Sequence, residues 1–189
     1  INDFMRFTAK FPEFESELLA VTNAVSQDQP SRSDLEWADY YYTKKAYPKA
    51  ISYYEKALEF EPNNFSVIKS LALLYLETDQ FETAALFTAN QIELFPSQPL
   101  LYVLNAVGNI QLRNYAEAVK SLEAGIIYVA DNKRMEAQFE LYRAEAYYNL
   151  NKSDQAFSSY EKVIAIETQK KNDAEEKIKI LEERIAHLT

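Results

Sequence analysis

Tyr47-Pro48-Lys49-Ala50, Phe81-Glu82-Thr83-Ala84 and Tyr115-Ala116-Glu117-Ala118 can be laid over one another. The alanines at 50, 84 and 118 are spaced by 34 and 34, and a fourth copy, Ser153-Asp154-Gln155-Ala156, follows after 38. The four extra residues are expected in the polar loop around Asp131-Asn132-Lys133-Arg134, where an insertion costs little. A fixed period of this length means one supersecondary unit repeated. Each unit is too small to bury its own apolar face and gains a continuous core only by stacking.

Working outward from those alanines, each copy has a second small residue one helix earlier, at Ala38, Ala72, Ala106 and Ala144. Small side chains let paired helices approach, and large aromatics fill the gaps between them. Ser33 with Glu36 and Asn114 with Glu117 have capping-box spacing, which marks helix starts. Pro48 and Pro99 sit near helix starts, and Pro62 and Pro96 just past helix ends.

On these residues the chain resembles the tetratricopeptide-repeat family from about Ser31 to Thr168. The first copy carries Trp37, Ala38 and Tyr41, then Ala50, Tyr54, Ala57 and Pro62. The second carries Ile68, Leu71, Ala72 and Tyr75, then Ala84 and Pro96. The third keeps Ala106, Ala118 and Leu122 but has Asn109 where the family prefers Tyr, and Gly125 where the first copy has Ala57. The fourth keeps Ala144, Tyr147, Ala156 and Tyr160, has Arg143 where a large apolar residue is usual, and ends in Thr168 rather than Pro. The resemblance implies an all-α fold, a right-handed solenoid of helical hairpins (an α-α superhelix). Its four units are expected at 31–64, 65–98, 99–136 and 137–168.

Residues 1–30 show helical geometry without a clean motif. Phe4, Phe7 and Phe11 share one face, Pro12 breaks the chain, and Phe14, Leu18, Val21 and Val25 share another. The reading is a degenerate N-terminal helix pair on the first repeat or the remnant of further repeats upstream. At the other end, Asp173 and Glu176 have capping-box spacing. Ala174, Ile178, Leu181, Ile185 and Leu188 follow in 4-3-4-3 steps, which predicts one amphipathic helix over 169–189. That helix is expected to cap the exposed face of the fourth repeat, and its spacing also permits weak self-association as a coiled coil.

Composition narrows the chemistry. Two Gly among 189 residues, with 14 Tyr and 11 Phe, suit helix throughout, and 48% hydrophobic residues supply a core. The absence of Cys excludes a disulfide scaffold, a thiolate zinc site and a cysteine nucleophile. One His, His187, leaves no multi-His metal site, and near a helix end it suits the dipole better than catalysis. A net charge of −9 argues against a phosphate-backbone binder and so against the 35-residue RNA-binding helical repeats. The longest apolar runs, Leu71–Leu76 and Gly125–Ala130, have six residues, far short of a membrane span. Residues 1–30 carry no signal-peptide pattern, so a soluble chain is expected, in cytoplasm or periplasm alike. A start at Ile1 rather than Met is expected of an excised domain or a processed product.

No enzyme, cofactor or metal is expected. Glu136, Glu140 and the nearby Glu145 read as a solvated helix face, not as a catalytic carboxylate pair. The only glycines, Gly108 and Gly125, lie inside helices, so no phosphate-cradling loop is present. What the family resemblance does imply is a concave groove lined by the first helix of each repeat, holding a peptide or helix of a partner protein. Carried over by position, the lining is Leu35, Asp39 and Tyr42, then Lys69, Leu73 and Leu76. Leu100, Val103, Val107 and Ile110 continue it, followed by Leu141, Glu145 and Tyr148. Relatives that grip a chaperone's C-terminal carboxylate use a clamp of Lys, Asn and Arg here. This chain has Leu35, Asp39, Leu73, Leu100 and Leu104 at the matching places, and only Lys69 fits. The expected function is protein binding through an apolar groove. The alternative is a structural or assembly section of a larger helical array, or a self-associating subunit whose groove its own chain fills.

Overall fold

The computed structural model describes residues 7, 8, 10–25 and 30–186, with backbone alone at 12, 19, 22–25, 30–32 and 173–186. Phe4, His187 and Leu188 lie outside the described residues, as do the side chains of Ala174, Ile178, Leu181 and Ile185. Among the described residues the chain is helical throughout. A 3-10 turn at Pro12–Phe14 leads into α1, Glu15–Val25. Four helical hairpins follow: α2 Pro30–Thr43 with α3 Tyr47–Phe60, and α4 Phe65–Glu77 with α5 Phe81–Leu94. The others are α6 Pro99–Gln111 with α7 Tyr115–Gly125, and α8 Lys133–Asn149 with α9 Ser153–Ala186. The chain divides into two compact units, Ile1–Ala84 and Ala85–Thr189.

The expected small-residue positions are buried in every hairpin: Ala38, Ala72, Ala106 and Ala144 are all fully enclosed, as are Ala50, Ala84 and Ala118. A methyl group is the largest side chain that leaves paired helices in contact at such points. Every hairpin also turns in the same way. Lys45, Asp79, Arg113 and Asn151 follow the first helices at intervals of 34, 34 and 38, each with φ between 57° and 61°. The next residue's N–H reaches back over the helix end, from Ala46 to Tyr41 O at 2.9 Å, Gln80 to Tyr75 O at 2.8 Å, Asn114 to Asn109 O at 2.8 Å and Lys152 to Tyr147 O at 2.9 Å. This is the Schellman arrangement, built four times without a glycine.

Some local signals resolve differently from the sequence reading. Ser33 is not a cap, because Pro30 opens α2 one turn earlier, where its missing N–H costs nothing. Asn114 occupies an N-cap position but makes no side-chain bond there. Caps close at Asn64, accepting from Val67 N at 3.4 Å, and at Asn132, accepting from Met135 N at 3.0 Å. Asn132 follows a 3-10 turn at Ile126–Tyr128 and a left-handed Ala130, and it holds the N-cap register of Asn64 and Gln98. The four extra residues therefore do not lengthen this loop but add a turn to α8, which has 17 residues where α4 and α6 have 13.

The separate helix expected after Thr168 is the continuation of α9, which runs 34 residues without a break. No Pro or Gly interrupts Ser153–Ala186, and Lys170 pairs with Glu167 at 2.5 Å across the supposed boundary. A helix that continues straight on cannot turn back to cap its own first half. Asp173 and Glu176 therefore sit within a helix and begin none.

In the first unit the core is aromatic. Trp37 stacks on Tyr41 at 5.6 Å, meets Tyr40 edge-on at 5.5 Å, and lies 6.1 Å from Tyr53. Lys49 sits 4.7 Å over Tyr41 and Lys56 4.9 Å over Tyr53, so both rings have a cation on their outer side. Phe7 packs on Phe11 and Phe14 at 4.8 and 5.5 Å. In the second unit the core gathers Tyr102, Val103, Ala106, Ile110, Leu122, Phe139 and Tyr147.

Gly125 has a packing reason. A Cβ there would fall on the Tyr102 ring, onto Cγ and 2.5 Å from Tyr102 Cβ. The Tyr102 hydroxyl donates to Pro96 O at 2.9 Å, and Ser121 Oγ donates to Tyr102 O at 3.2 Å, which hold the ring over α7. The larger residue on α6 requires the smaller one on α7.

Candidate functional site

The first helices α2, α4, α6 and α8 carry the residues expected to line a groove, and each unit presents its own set. In the first unit, Leu73 of α4 is 45% exposed and Tyr42 of α2 is also 45% exposed. Leu35 and Leu76 are partly covered, and Lys69 is exposed. Asp39 is engaged, accepting from the Tyr54 hydroxyl at 2.5 Å. In the second unit, Leu141 and Tyr148 of α8 are 45% and 69% exposed, while Leu100 and Val107 of α6 are partly covered.

Val103 and Ile110 are core, not lining. They are 4% and 6% exposed, and both belong to the packed core of the second unit. Leu104, at 5%, is equally closed. The physical reason is the composition of α6, PLLYVLNAVGNIQ, which is apolar on nearly every face. A 3.6-residue period singles out no outward stripe in such a helix.

The carboxylate expected on a solvated face is buried. Glu140 is 4% exposed, and its Oε1 accepts from Arg143 Nη1 at 3.0 Å and Lys162 Nζ at 3.1 Å. Arg143 also approaches Glu123 at 4.0 Å and lies 5.7 Å from the Tyr147 ring. This explains why a guanidinium stands at 143 in place of a large apolar residue: it supplies the charge that a buried carboxylate requires. Lys162 comes from 22 residues downstream, so no local spacing signals the triad. The arrangement ties α8 to α9 and is a structural device. Among the described residues no cluster of His, Cys, Asp or Glu could hold a metal ion, and no helix is long and apolar enough to cross a membrane.

One recurring contact has no counterpart in the motif reading. The Tyr75 hydroxyl donates to Glu55 at 2.8 Å, joining α4 to α3, and the Tyr147 hydroxyl donates to Glu123 at 2.6 Å, joining α8 to α7. Tyr41 donates to Glu15 of α1 at 3.2 Å. Tyr41, Tyr75 and Tyr147 share one register, and so do Glu55 and Glu123. The pattern was available as paired spacings across the repeats. Burial first, and then the neighbouring carboxylate, pushes the Tyr41 and Tyr75 hydroxyls well above their ordinary pKa.

The register also marks an apolar face on α9. Phe157 stands where the first and third copies have Ile51 and Val119, both buried, and the second has a partly covered Ala85, yet it is 66% exposed. Tyr160 and Ile164 are exposed on the same side. All three belong to the second helix of the fourth repeat.

Comparison with known proteins places this geometry. Residues 43–125 match the family described as anaphase-promoting complex, cyclosome, subunit 3, and residues 143–170 match the tetratricopeptide repeat. Among solved structures, MamA 41-end from Desulfovibrio magneticus RS-1 superposes with a TM-score of 0.69 at 13% identity, covering 89% of this chain and 93% of that one. A further MamA structure gives 0.66 at 21% identity, with 73% of each chain covered. The TPR2B domain of yeast Sti1, in a complex with pHsp70, gives 0.56 at 19% identity, covering 62% of this chain and 96% of that one. At these identities the likeness concerns the fold. No curated protein matches the sequence.

Proposed function

We propose that this chain, which has the tetratricopeptide-repeat fold and matches that repeat at residues 143–170, is a non-enzymatic interaction module that holds an apolar extended or helical segment of a partner protein against its first helices. The observation that carries this reading is the exposure of Leu73, Leu141 and Tyr148 on those helices, two aliphatic side chains and a ring left largely outside their units' cores. Exposed apolar groups on first helices are the usual footing for a partner segment, and Tyr suits such a surface because its rim is polar. Leu35, Tyr42, Leu76, Leu100 and Val107 flank these anchors, and Lys69 supplies a rim charge.

The partner's chemistry follows from the same side chains. A chaperone carboxylate of the kind that some members of the family clamp would meet leucines, one aspartate and a single lysine, Lys69, at the matching positions, so an apolar segment fits better than an acidic terminus. Each buried anchor contributes about 1.5–3 kcal/mol, so two or three support micromolar binding once association costs are subtracted.

Affinity capture with mass spectrometry, paired with melting curves, tests the proposal. Leu73→Glu, Leu141→Glu and Tyr148→Glu should each leave the melting temperature close to wild type and remove a shared set of captured proteins. Lys69→Ala should change capture least, because a lone rim charge mainly adjusts association rate. Val107→Glu should also lower the melting temperature, since Val107 packs partly against the core. Capture that survives all three exposed-site substitutions would move the binding surface off the first helices.

A further inference from the structure

We infer that the C-terminal part of α9 pairs with the same segment of a second copy of this chain, as a parallel two-stranded coiled coil. Among the described side chains of α9 the last that is partly covered is Ile166, and every residue from Glu167 to Asn172 is exposed. The helix nevertheless continues to Ala186. At 1.5 Å per residue the part of the helix after Ile166 is about 30 Å long. A lone helix of this length is marginal in water, and an amphipathic one gains most of its stability from whatever covers its apolar stripe.

The sequence of that stripe specifies the occupant. Phe157, Tyr160, Ile164, Glu167, Lys171, Ala174, Ile178, Leu181 and Ile185 follow one another in alternating steps of three and four. That is an unbroken heptad register over the length of α9, with 157, 164, 171, 178 and 185 at position a and 160, 167, 174 and 181 at position d. Isoleucine at a with leucine at d, as at 178, 181 and 185, favours two parallel strands. Lys171 is a single polar a residue of the kind that sets register and limits the assembly to two chains. Glu167, at a d position, would face its own copy and confines the pairing to residues beyond it.

The flanking charges choose the orientation. Lys170 and Lys177 occupy g positions, and Glu175 and Glu182 the e positions of the following heptads. In a parallel pair each g residue of one chain faces the following e residue of the other, so lysine meets glutamate four times across the twofold. An antiparallel pair within that segment, centred between Ala174 and Ile178, would set Glu175 against itself, Lys177 against itself and Lys170 against Arg184. Lys170 already reaches Glu167 of its own helix, but that exposed pair is weak and gives way readily to another carboxylate. This pairing uses a different surface from the groove and stands whether or not the proposed function holds.

The full-length chain at tens of micromolar should sediment and scatter light as a dimer. Ile178→Asp should halve its mass, while far-UV circular dichroism and the melting transition report an intact array. Lys170→Glu/Lys177→Glu and Glu175→Lys/Glu182→Lys should each be monomeric alone and form a heterodimer when mixed. Since the chain has no Cys, orientation is read from single introduced cysteines. Leu181→Cys should form a disulfide-linked dimer under mild oxidation, and Glu176→Cys, on the outer face of the heptad, should not. A wild-type monomer, a dimer that survives Ile178→Asp, or cross-linking at 176 in preference to 181 would overturn the inference.

Discussion

The approach of α4 to α3 and the approach of α6 to α5 solve one problem with different chemistry. In the first, Tyr75 of α4 reaches back to Glu55 of α3. In the second, the register of Tyr75 holds Asn109, and the register of Glu55 holds Ala89. Both members of the latch have changed together. Asn109 instead donates to Asn105 O at 3.0 Å and Oδ1 at 3.2 Å, and Asn105 donates to Ala85 O at 2.8 Å and Thr88 Oγ1 at 3.1 Å. A phenol donating to an exposed carboxylate has been exchanged for a buried amide ladder. The comparison teaches that the departures of the third repeat from the family pattern are coordinated pairs. Gly125 with Tyr102 is another such pair, standing where the first copy has Ala57 with Asp34.

The strongest way to break this comparison is to undo one member of a pair. Gly125→Ala drives a methyl group into the Tyr102 ring and should cost about 1–3 kcal/mol, read as a lowered melting temperature. Adding Tyr102→Ile, the residue that the second copy has at that register, should return most of the loss. Equal damage in the single and double variants would show that Gly125 has some other role.

A smaller effect is expected from restoring the latch. Asn109→Tyr alone should destabilise by roughly 1–2 kcal/mol, because the ring overfills a closed site and its hydroxyl meets Ala89. Asn109→Tyr with Ala89→Glu should recover about 0.5–1.5 kcal/mol of that, a coupling visible in a double-mutant cycle. Strict additivity would separate the two registers.

The smallest effect lies in the pH profile. Burial first, then a carboxylate partner, raises Tyr41, Tyr54 and Tyr75 above the ordinary value of 10. The folded chain therefore holds these protons more tightly than the unfolded chain does. Their contribution is fully present below pH 10 and is lost as pH climbs through the raised values. Melting temperature should fall with alkali above about pH 10, and Tyr75→Phe should flatten that fall. At neutral pH the same variant should lose only about 0.5–1.5 kcal/mol, one hydrogen bond. An unchanged alkaline slope would mean that the latch does not follow the phenol's titration.

Much of this architecture is legible without coordinates because a repeat writes the same constraint several times. Ala38, Ala72, Ala106 and Ala144 are each weak signals, but at one register they identify the enclosed positions. What a repeat does not write is harder to read. Glu140 sits one turn from Glu136 and resembles a wet face until Lys162 is folded onto it. Val103 and Ile110 fall in a helix too apolar to show a side. The end of the array misleads for a related reason: Asp173 and Glu176 have the spacing of a helix start, and nothing local says that a helix already runs through them. Along the proposed groove, position alone nominated Leu73, Leu141 and Tyr148, and their exposure supports the nomination.

The four left-handed turns decide where this chain tolerates a change of length. At Lys45, Asp79, Arg113 and Asn151 the backbone folds over the preceding helix end and consumes its free carbonyls. One added residue there would unstitch two bonds and rotate the following helix by about 100°, a full change of face. The stretch between one hairpin and the next is closed by a shorter turn, in which Asn64 N donates to Glu61 O at 3.0 Å and Gln98 N to Phe95 O at 3.1 Å. The 38-residue interval shows four residues, about one turn, absorbed at the start of the next helix: α8 begins at Lys133, behind the closed cap at Asn132, and has 17 residues where α4 and α6 have 13. Grafted tags and reporter loops therefore belong at the seams around Asn63 and Ser97. The hairpin turns are closed to them.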